Sequence, residues 1–232
     1  MTLKKILVVL TNIEKYETIN RATGLWLGEA AQFVEVVKEA GYETDYVSPA
    51  GGLVPIDPAS LTSADDIDFK WYHDADFKRH ALAETLKPSD INPEDYAAIY
   101  YTGGHGTMWD FKDNIELQQI AEKIYEQNGY VTGVCHGVVG LVNLLDTQTG
   151  KRLIKGKKVT GFSNMEEKLN RTKKHVPFLA EDSLKEAGAK YKSKRPMKEH
   201  VRVDGQLITG QNPPSAKKVG QELVKALKNR TS

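Results

Sequence analysis

A strand-like apolar segment that ends in Gly-Val-Cys-His-Gly is the feature that most restricts how this chain can fold. Residues 130–134 are rich in β-type side chains and lead directly into Cys135, His136 and Gly137, before a Gly- and Val-rich stretch with helical potential. This order is typical of a nucleophile elbow, a sharp strand-to-helix turn that presents one side chain above a parallel sheet. Glycines flank such a turn because the backbones approach too closely there for Cβ atoms. The segment therefore predicts a parallel strand that ends in an accessible, reactive thiol.

Strand-like runs alternate with helical segments along the rest of the chain. The predicted strands are residues 6–10, 43–47, 97–101, 130–134, 157–162 and 207–209, and the predicted helices are residues 24–40, 115–127 and 215–229. This alternation predicts an α/β fold with a doubly wound, mostly parallel, flavodoxin-like sheet, whose catalytic groups gather at the carboxyl ends of the strands. We expect a single domain over residues 1–232. Residues 50–93 are too long for a simple connection, so we interpret them as a cap-like insertion.

Charge and cysteine content exclude several classes of protein. The 32 basic and 31 acidic residues leave a net charge of +1, so no attraction to nucleic acid or to a membrane surface is expected. The first apolar run, about six residues long, is too short for a signal sequence or a membrane span. A lone cysteine forms no internal disulfide, which favours a cytoplasmic location. The six histidines show no compact metal-ligand spacing, so we predict no metal and no cofactor.

Cys135 is the predicted nucleophile, although a lone cysteine is more often a buried small hydrophobe. At an elbow the positive end of a helix dipole favours the thiolate.

Glu29 lies among apolar residues of the first helix, where a carboxyl with a raised pKa stays protonated and can donate a hydrogen bond to the thiolate. An ordinary exposed glutamate is the alternative. His136 is the expected base, and either Glu166 or Glu167 could orient it.

The loop at residues 102–106, Thr-Gly-Gly-His-Gly, follows the predicted strand that precedes the elbow strand. Its N–H groups, Gly104 included, could form an oxyanion hole together with one N–H at the elbow. A simple turn would have the same composition. His105 either binds substrate or fills the loop, and Trp109 is a candidate to line the pocket, with core packing as the alternative.

Several short segments carry a resemblance to a known family. They are GLWLGE over 24–29, SPAGG followed by PIDP over 48–58, YTGGHG with WD over 101–110, GVCHG over 133–137, TGFSNMEE over 160–167 and TGQNPPS over 209–215. In this order they resemble the PfpI-like superfamily, which has the class I glutamine amidotransferase-like fold and includes the parkinsonism-associated deglycase. They are most similar to its heat-shock chaperone and glutathione-independent glyoxalase (glyoxalase III) branch.

The resemblance implies roles for individual residues. Cys135 would be the nucleophile, His136 the proton shuttle, Glu29 a hydrogen-bond partner of the cysteine and Glu167 the third member of a triad. Backbone at Gly104 and His136 would form the oxyanion hole. The implied enzyme is a lyase of the D-lactate dehydratase class that converts methylglyoxal or a similar 2-oxoaldehyde into a 2-hydroxy acid without a cofactor. The resemblance also implies deglycase activity and a homodimer.

Two other functions fit the same sequence. A stress-inducible holdase chaperone would use an exposed apolar surface, which a sequence alone does not reveal. A cysteine peptidase or amidohydrolase would use the same Cys-His-Glu arrangement, although a cap over residues 50–93 argues against long peptide substrates.

Overall fold

A six-stranded sheet forms the centre of the structure, a computed structural model that describes residues 5–230. In chain order the strands are β1 (Lys5–Val9), β2 (Glu43–Val47), β3 (Tyr96–Tyr101), β4 (Tyr130–Val134), β5 (Leu145–Asp146), β6 (Lys151–Arg152), β7 (Lys158–Val159), β8 (Lys190–Tyr191), β9 (Val201–Asp204) and β10 (Leu207–Gly210). The sheet order is β2-β1-β3-β4-β10-β9, and its pairs are parallel except for β10 with β9. The predicted mostly parallel sheet is confirmed.

Helices cover both faces of this sheet. They are α1 (Leu27–Glu39), α2 (Pro58–Thr62), α3 (Asp66–His73), α4 (Ala75–Phe77), α5 (Thr107–Asp110), α6 (Ile115–Glu126), α7 (Asn164–Leu169), α8 (Ala180–Glu186) and α9 (Ala216–Arg230). Because successive strand residues point to opposite faces, β1 divides its side chains between two cores. Ile6 and Val8 pack with α1 and α9, whereas Leu7 and Val9 pack with α6. Burial on both sides explains why β1 is a continuous apolar run. Within residues 5–230, no helix has the length and apolar character needed to cross a bilayer.

One predicted strand is wrong in extent. Of residues 157–162, only Lys158 and Val159 form a strand, and this strand pairs with β8 rather than with the central sheet. Beyond it the chain turns toward the elbow, where the N–H of Phe162 donates to the carbonyl oxygen of Cys135 at 3.1 Å. The elbow thus uses hydrogen bonds that a longer strand would need.

The insertion at residues 50–93 holds α2, α3 and α4 and packs beside α1 and β2. Three of its aromatic side chains, Trp71, Tyr72 and Phe77, pack on the core that α1 shares with the sheet. A fourth, Phe69, is 41% exposed. The side chain of Asn12, just after β1, donates to the carbonyl oxygens of Gly51 and Leu53 and so ties the insertion to the carboxyl end of the sheet. Its action as a cap over the site stays a prediction.

Candidate active site

The turn after β4 is the strained elbow that the sequence predicts. Cys135 has a φ of +56°, a left-handed conformation that is costly for a residue with a Cβ atom. Gly137 allows the turn to lie against the end of β3, because a Cβ there would be 2.2 Å from the carbonyl oxygen of Thr102. The segment that follows is a 3₁₀ helix over Cys135–Leu141 and not the expected α-helix. A long helix dipole therefore does not face the sulfur.

Cys135, His136 and Glu167 lie in a hydrogen-bonded row. The Sγ atom of Cys135 is 3.4 Å from Nδ1 of His136, and Nε2 of the same ring is 2.8 Å from Oε2 of Glu167. A carboxylate at Nε2 favours a proton on that nitrogen and leaves Nδ1 free to accept one from sulfur. The ring of Phe162 packs 4.2 Å from that of His136, centroid to centroid, and restricts its rotation. The row has the geometry of a nucleophile, a base and an orienting acid.

Glu167 is shared by a second histidine. Its Oε1 lies 2.9 Å from Nε2 of His105 and also accepts from the hydroxyl of Thr172. Burial alone would raise the pKa of Glu167, but the neighbouring charge of His136 and hydrogen bonds from both imidazoles outweigh it and hold that pKa well below its usual range. Burial, with His136 close by, lowers the pKa of His105 to about 4. His105 is therefore neutral near pH 7, and its Nε2 faces Glu167; substrate binding by His105 stays a prediction.

Within residues 5–230, these two histidines and Glu167 also form a group of potential metal ligands. Their ligand atoms lie within 4.8 Å of one another, although their positions in the sequence, 105, 136 and 167, show no metal-binding spacing. In the structure each Nε2 atom points at a carboxylate oxygen, so N–H···O hydrogen bonds account for the cluster without an ion. A metal would have to replace both protons.

Glu29 lies on the other side of the sulfur. Its carboxyl is fully buried, and neither oxygen has a hydrogen bond of standard geometry, although Cys135 and the N–H of Gly103 are its polar neighbours. Its backbone carbonyl accepts from the hydroxyl of Tyr100 at 2.8 Å, which fixes this turn of α1. Burial raises the pKa of Glu29 to about 8. The group is therefore protonated at neutral pH and can donate a hydrogen bond to sulfur.

The ionisation and the accessibility of the thiol differ from the sequence-based expectation. Burial raises the pKa of the Cys135 thiol well above its usual value, and the backbone N–H of His136 opposes this only in part. The side chain is 3% exposed. The expected accessible thiol is therefore wrong, and burial opposes the thiolate that the sequence predicts.

The buried carboxyl predicts a pH-dependent gain in stability for Glu29→Gln. The folded protein holds the proton of Glu29 up to a pKa of about 8, whereas the unfolded chain releases it near 4.5, so wild-type stability falls as pH rises between these values. The neutral amide avoids this loss. We expect the variant to gain about 3 kcal/mol on wild type at pH 7 and almost nothing at pH 4.

Urea unfolding at a series of pH values measures this gain. Glu116→Gln, on an exposed face of α6, is the matched control. A difference between Glu29→Gln and wild type that stays constant from pH 4 to pH 8 would contradict the raised pKa.

The adjacent Glu166 has a different environment. It is 2% exposed and accepts hydrogen bonds from both Ser163 donors, from the side chains of Gln211 and Asn212, and from the N–H of Met197. It joins α7 to the chain after β10 and does not contact His136. The sequence left the choice between Glu166 and Glu167 open. The pattern Ser-x-x-Glu at 163–166 could have identified Glu167 as the partner of His136. In a capping box the glutamate side chain accepts from the backbone N–H of the N-cap serine, so Glu166 is not free to orient a histidine.

The structure places the remaining predicted residues at the rim of this group. Gly104 has a φ of +103°, and a Cβ there would clash with the backbone at Gly24, so this loop packs against the chain before α1. Its oxyanion role stays a prediction. Trp109 lies edge-on to Tyr16, with ring centroids 5.5 Å apart. Tyr16 was not among the sequence-based candidates, because nothing in an irregular polar segment marks it as buried.

Fold and site together define a class of α/β proteins with a cysteine at a strained elbow and a histidine–carboxylate pair beside it. The chain belongs to the DJ-1/PfpI family, whose model matches residues 19–226. This confirms the resemblance seen in its motifs.

Three relatives cover nearly the whole chain. The glutathione-independent glyoxalase HSP31 of Saccharomyces cerevisiae is 34% identical over 99% of this chain and 100% of its own length. The crystal structure of glyoxalase III from Candida albicans has a TM-score of 0.86 and 32% identity, covering 97% of this chain and 98% of that one. The X-ray structure of Rapid Encystment Protein 24 kDa from Francisella tularensis has a TM-score of 0.92 and 39% identity, covering 97% and 99%.

Proposed function

We propose that this protein is a glutathione-independent glyoxalase that converts methylglyoxal or a similar 2-oxoaldehyde into a 2-hydroxy acid. The observation that carries the proposal is the row Cys135–His136–Glu167, with distances of 3.4 and 2.8 Å. Relatives named as glyoxalases, 34% and 32% identical over almost their full length, support it. The reaction needs a soft nucleophile, one base and hydrogen-bond donors, and these are what the site offers.

In the first step His136 accepts the thiol proton at Nδ1 while Sγ of Cys135 attacks the aldehyde carbon. Because burial disfavours a free thiolate, the proton transfer and the attack are coupled. The C–S bond forms, and the former carbonyl oxygen takes the proton from Nδ1 of His136, giving a hemithioacetal and returning the imidazole to its neutral form. Protonated Glu29 donates toward sulfur and lowers the charge that builds there. Glu167 stabilises the imidazolium by its hydrogen bond at Nε2.

In the second step His136 moves a proton from the sulfur-bearing carbon to the neighbouring carbonyl carbon through an enediol. The product of this shift is a thioester of the 2-hydroxy acid. Water then cleaves the C–S bond, releasing the acid and restoring the thiol. The sum is one aldehyde and one water giving one 2-hydroxy acid. No electrons leave the substrate, so the balance requires no oxidant or reductant.

The enclosure of the site favours a small aldehyde over a peptide. Cys135 is 3% exposed and His136 is 1% exposed, so these residues do not lie in an open groove that could hold an extended chain. This is the observation that ranks the glyoxalase above the cysteine peptidase. The homodimer and the cytoplasmic location stay predictions from the resemblance and from the lone cysteine.

Lactate formation from methylglyoxal with no added thiol tests the proposed function. Purified protein should consume the aldehyde and release one lactate for each, with no requirement for glutathione. Peptide hydrolysis at a comparable rate, or aldehyde loss without lactate, would overturn the proposal. A casein-aggregation assay on the same preparation measures the holdase alternative independently.

A further inference from the structure

A hairpin between β1 and α1 carries one buried side chain into the neighbourhood of the site. Residues 14–23 fold back on themselves, with the N–H of Tyr16 donating to Arg21 and that of Thr23 donating to Glu14. Residues 14–22 are exposed except for Tyr16, which is 1% exposed, and Ile19, which is partly buried. An exposed hairpin that buries a single aromatic ring has the form of a lid, and we call the Tyr16 ring that holds it down the latch.

The hairpin is fixed at its base and loosely held at its tip. At the base, Asp110 accepts from the hydroxyl of Thr11 and from the N–H of Asn12, and Asp57 accepts from the hydroxyl of Thr23. At the tip, the hydroxyl of Thr18 lies 3.3 Å from Nδ1 of His175 in an exposed contact. Motion about the base would therefore break few interactions besides those of the Tyr16 ring.

Tyr16 is joined to the catalytic group through its ring. The ring centroid lies 5.4 Å from that of His105, and the His105 ring lies 4.0 Å from that of His136. The Tyr16 hydroxyl is buried without a hydrogen-bond partner, as is the Nε1 atom of Trp109. The hydroxyl of Thr23 is nearby but not in hydrogen-bonding geometry. Buried donors are nearly always paired in proteins, so two orphaned donors on touching rings indicate a place for an acceptor ligand.

We propose that Tyr16 is a substrate-binding residue carried on a lid formed by residues 14–23. The lid lifts to admit the aldehyde to Cys135, which the closed structure leaves 3% exposed. When it closes, the Tyr16 hydroxyl donates a hydrogen bond to a substrate oxygen, and its ring limits the size of the substituent next to the carbonyl groups. The substrate part of this inference rests on the proposed function, because a 2-oxoaldehyde supplies the acceptor oxygens.

Two substitutions separate the hydroxyl from the ring. Tyr16→Phe keeps the latch and removes the donor, so KM for methylglyoxal should rise about tenfold with little change in the rate of Cys135 alkylation by N-ethylmaleimide. Tyr16→Ala removes the latch, so alkylation should become at least about tenfold faster. The ratio of kcat/KM for phenylglyoxal to that for methylglyoxal should also rise about tenfold, because phenylglyoxal has the larger substituent. Glu17→Gln, the exposed neighbour, is the matched control and should behave as wild type.

The alkylation rate needs no glyoxalase activity, so it tests the lid even where the aldehyde assay fails. Wild-type alkylation in Tyr16→Ala, with far-ultraviolet circular dichroism unchanged, would overturn the lid. A wild-type KM in Tyr16→Phe would overturn substrate binding by the hydroxyl. Absence of aldehyde turnover in the wild type, with alkylation accelerated in Tyr16→Ala, would leave the lid standing and remove the proposed function instead.

Discussion

Cys135→Ser is expected to lower kcat/KM for methylglyoxal by about 10³-fold or more while the protein stays folded. The hydroxyl has nearly the size of the thiol, so packing at the elbow changes little. It is a far weaker acid, and the site already disfavours an anion at this position, because burial raises even the thiol pKa. His136, which lies 3.4 Å from the sulfur in the wild type, would therefore remove the serine hydroxyl proton at a much higher free-energy cost. Lactate release measures the loss, and circular dichroism reports the fold.

Chemical blocking of the same sulfur is the control for this substitution. Cys135 is the only cysteine in the chain, so iodoacetamide at neutral pH modifies a single thiol. Blocked wild type and Cys135→Ser should show the same residual turnover. A serine variant that keeps more than about a tenth of wild-type activity would mean that another group attacks the aldehyde.

The parts of the fold that the sequence predicted well are those set by local pattern. Residues 43–47 and 130–134 are strands with the predicted bounds, since the first is closed by Ser48-Pro49 and the second is a β-type run closed by the elbow. The elbow followed from glycine spacing in the same way. Residues 157–162 failed because their hydrogen bonds go to the elbow, to β8 and to Thr209, partners that lie far away in sequence.

The site was predictable in its members but not in its connections. Cys135 and His136 are adjacent, so their proximity needs no fold. The meeting of His105 with Glu167 depends on the fold bringing α7 next to the loop after β3, and nothing in either segment specifies it. The ionisation of the thiol depends on its burial beside Glu29. Sequence pattern reports a dipole at a turn but not the burial that opposes it.

The neighbours Glu166 and Glu167 give the sharpest test of this description, because one isosteric change should have opposite effects at the two positions. The partners of Glu167 are two imidazoles, those of His105 and His136, and each can change tautomer. The amide nitrogen in Glu167→Gln can therefore donate to Nε2 of His136. The imidazole proton then moves to Nδ1, the atom that faces sulfur at 3.4 Å. The base is lost although the hydrogen bonds survive, and kcat should fall about 10³-fold or more with a modest change in Tm.

At Glu166 no such adjustment exists. Its oxygens accept from the backbone N–H groups of Ser163 and Met197 and from the amides of Gln211 and Asn212, and each oxygen has at least one of these fixed donors. An amide nitrogen in either orientation therefore meets a donor that cannot become an acceptor. Glu166→Gln should lose about 4 kcal/mol of unfolding free energy, or roughly 10 °C in Tm, because buried donors are left unpaired. Below its lowered Tm the variant should keep turnover within about threefold of wild type, since Glu166 does not touch His136. Urea unfolding and lactate release, measured on both variants, test these two roles. A stable but inactive Glu166→Gln would mean that Glu166, and not Glu167, orients His136.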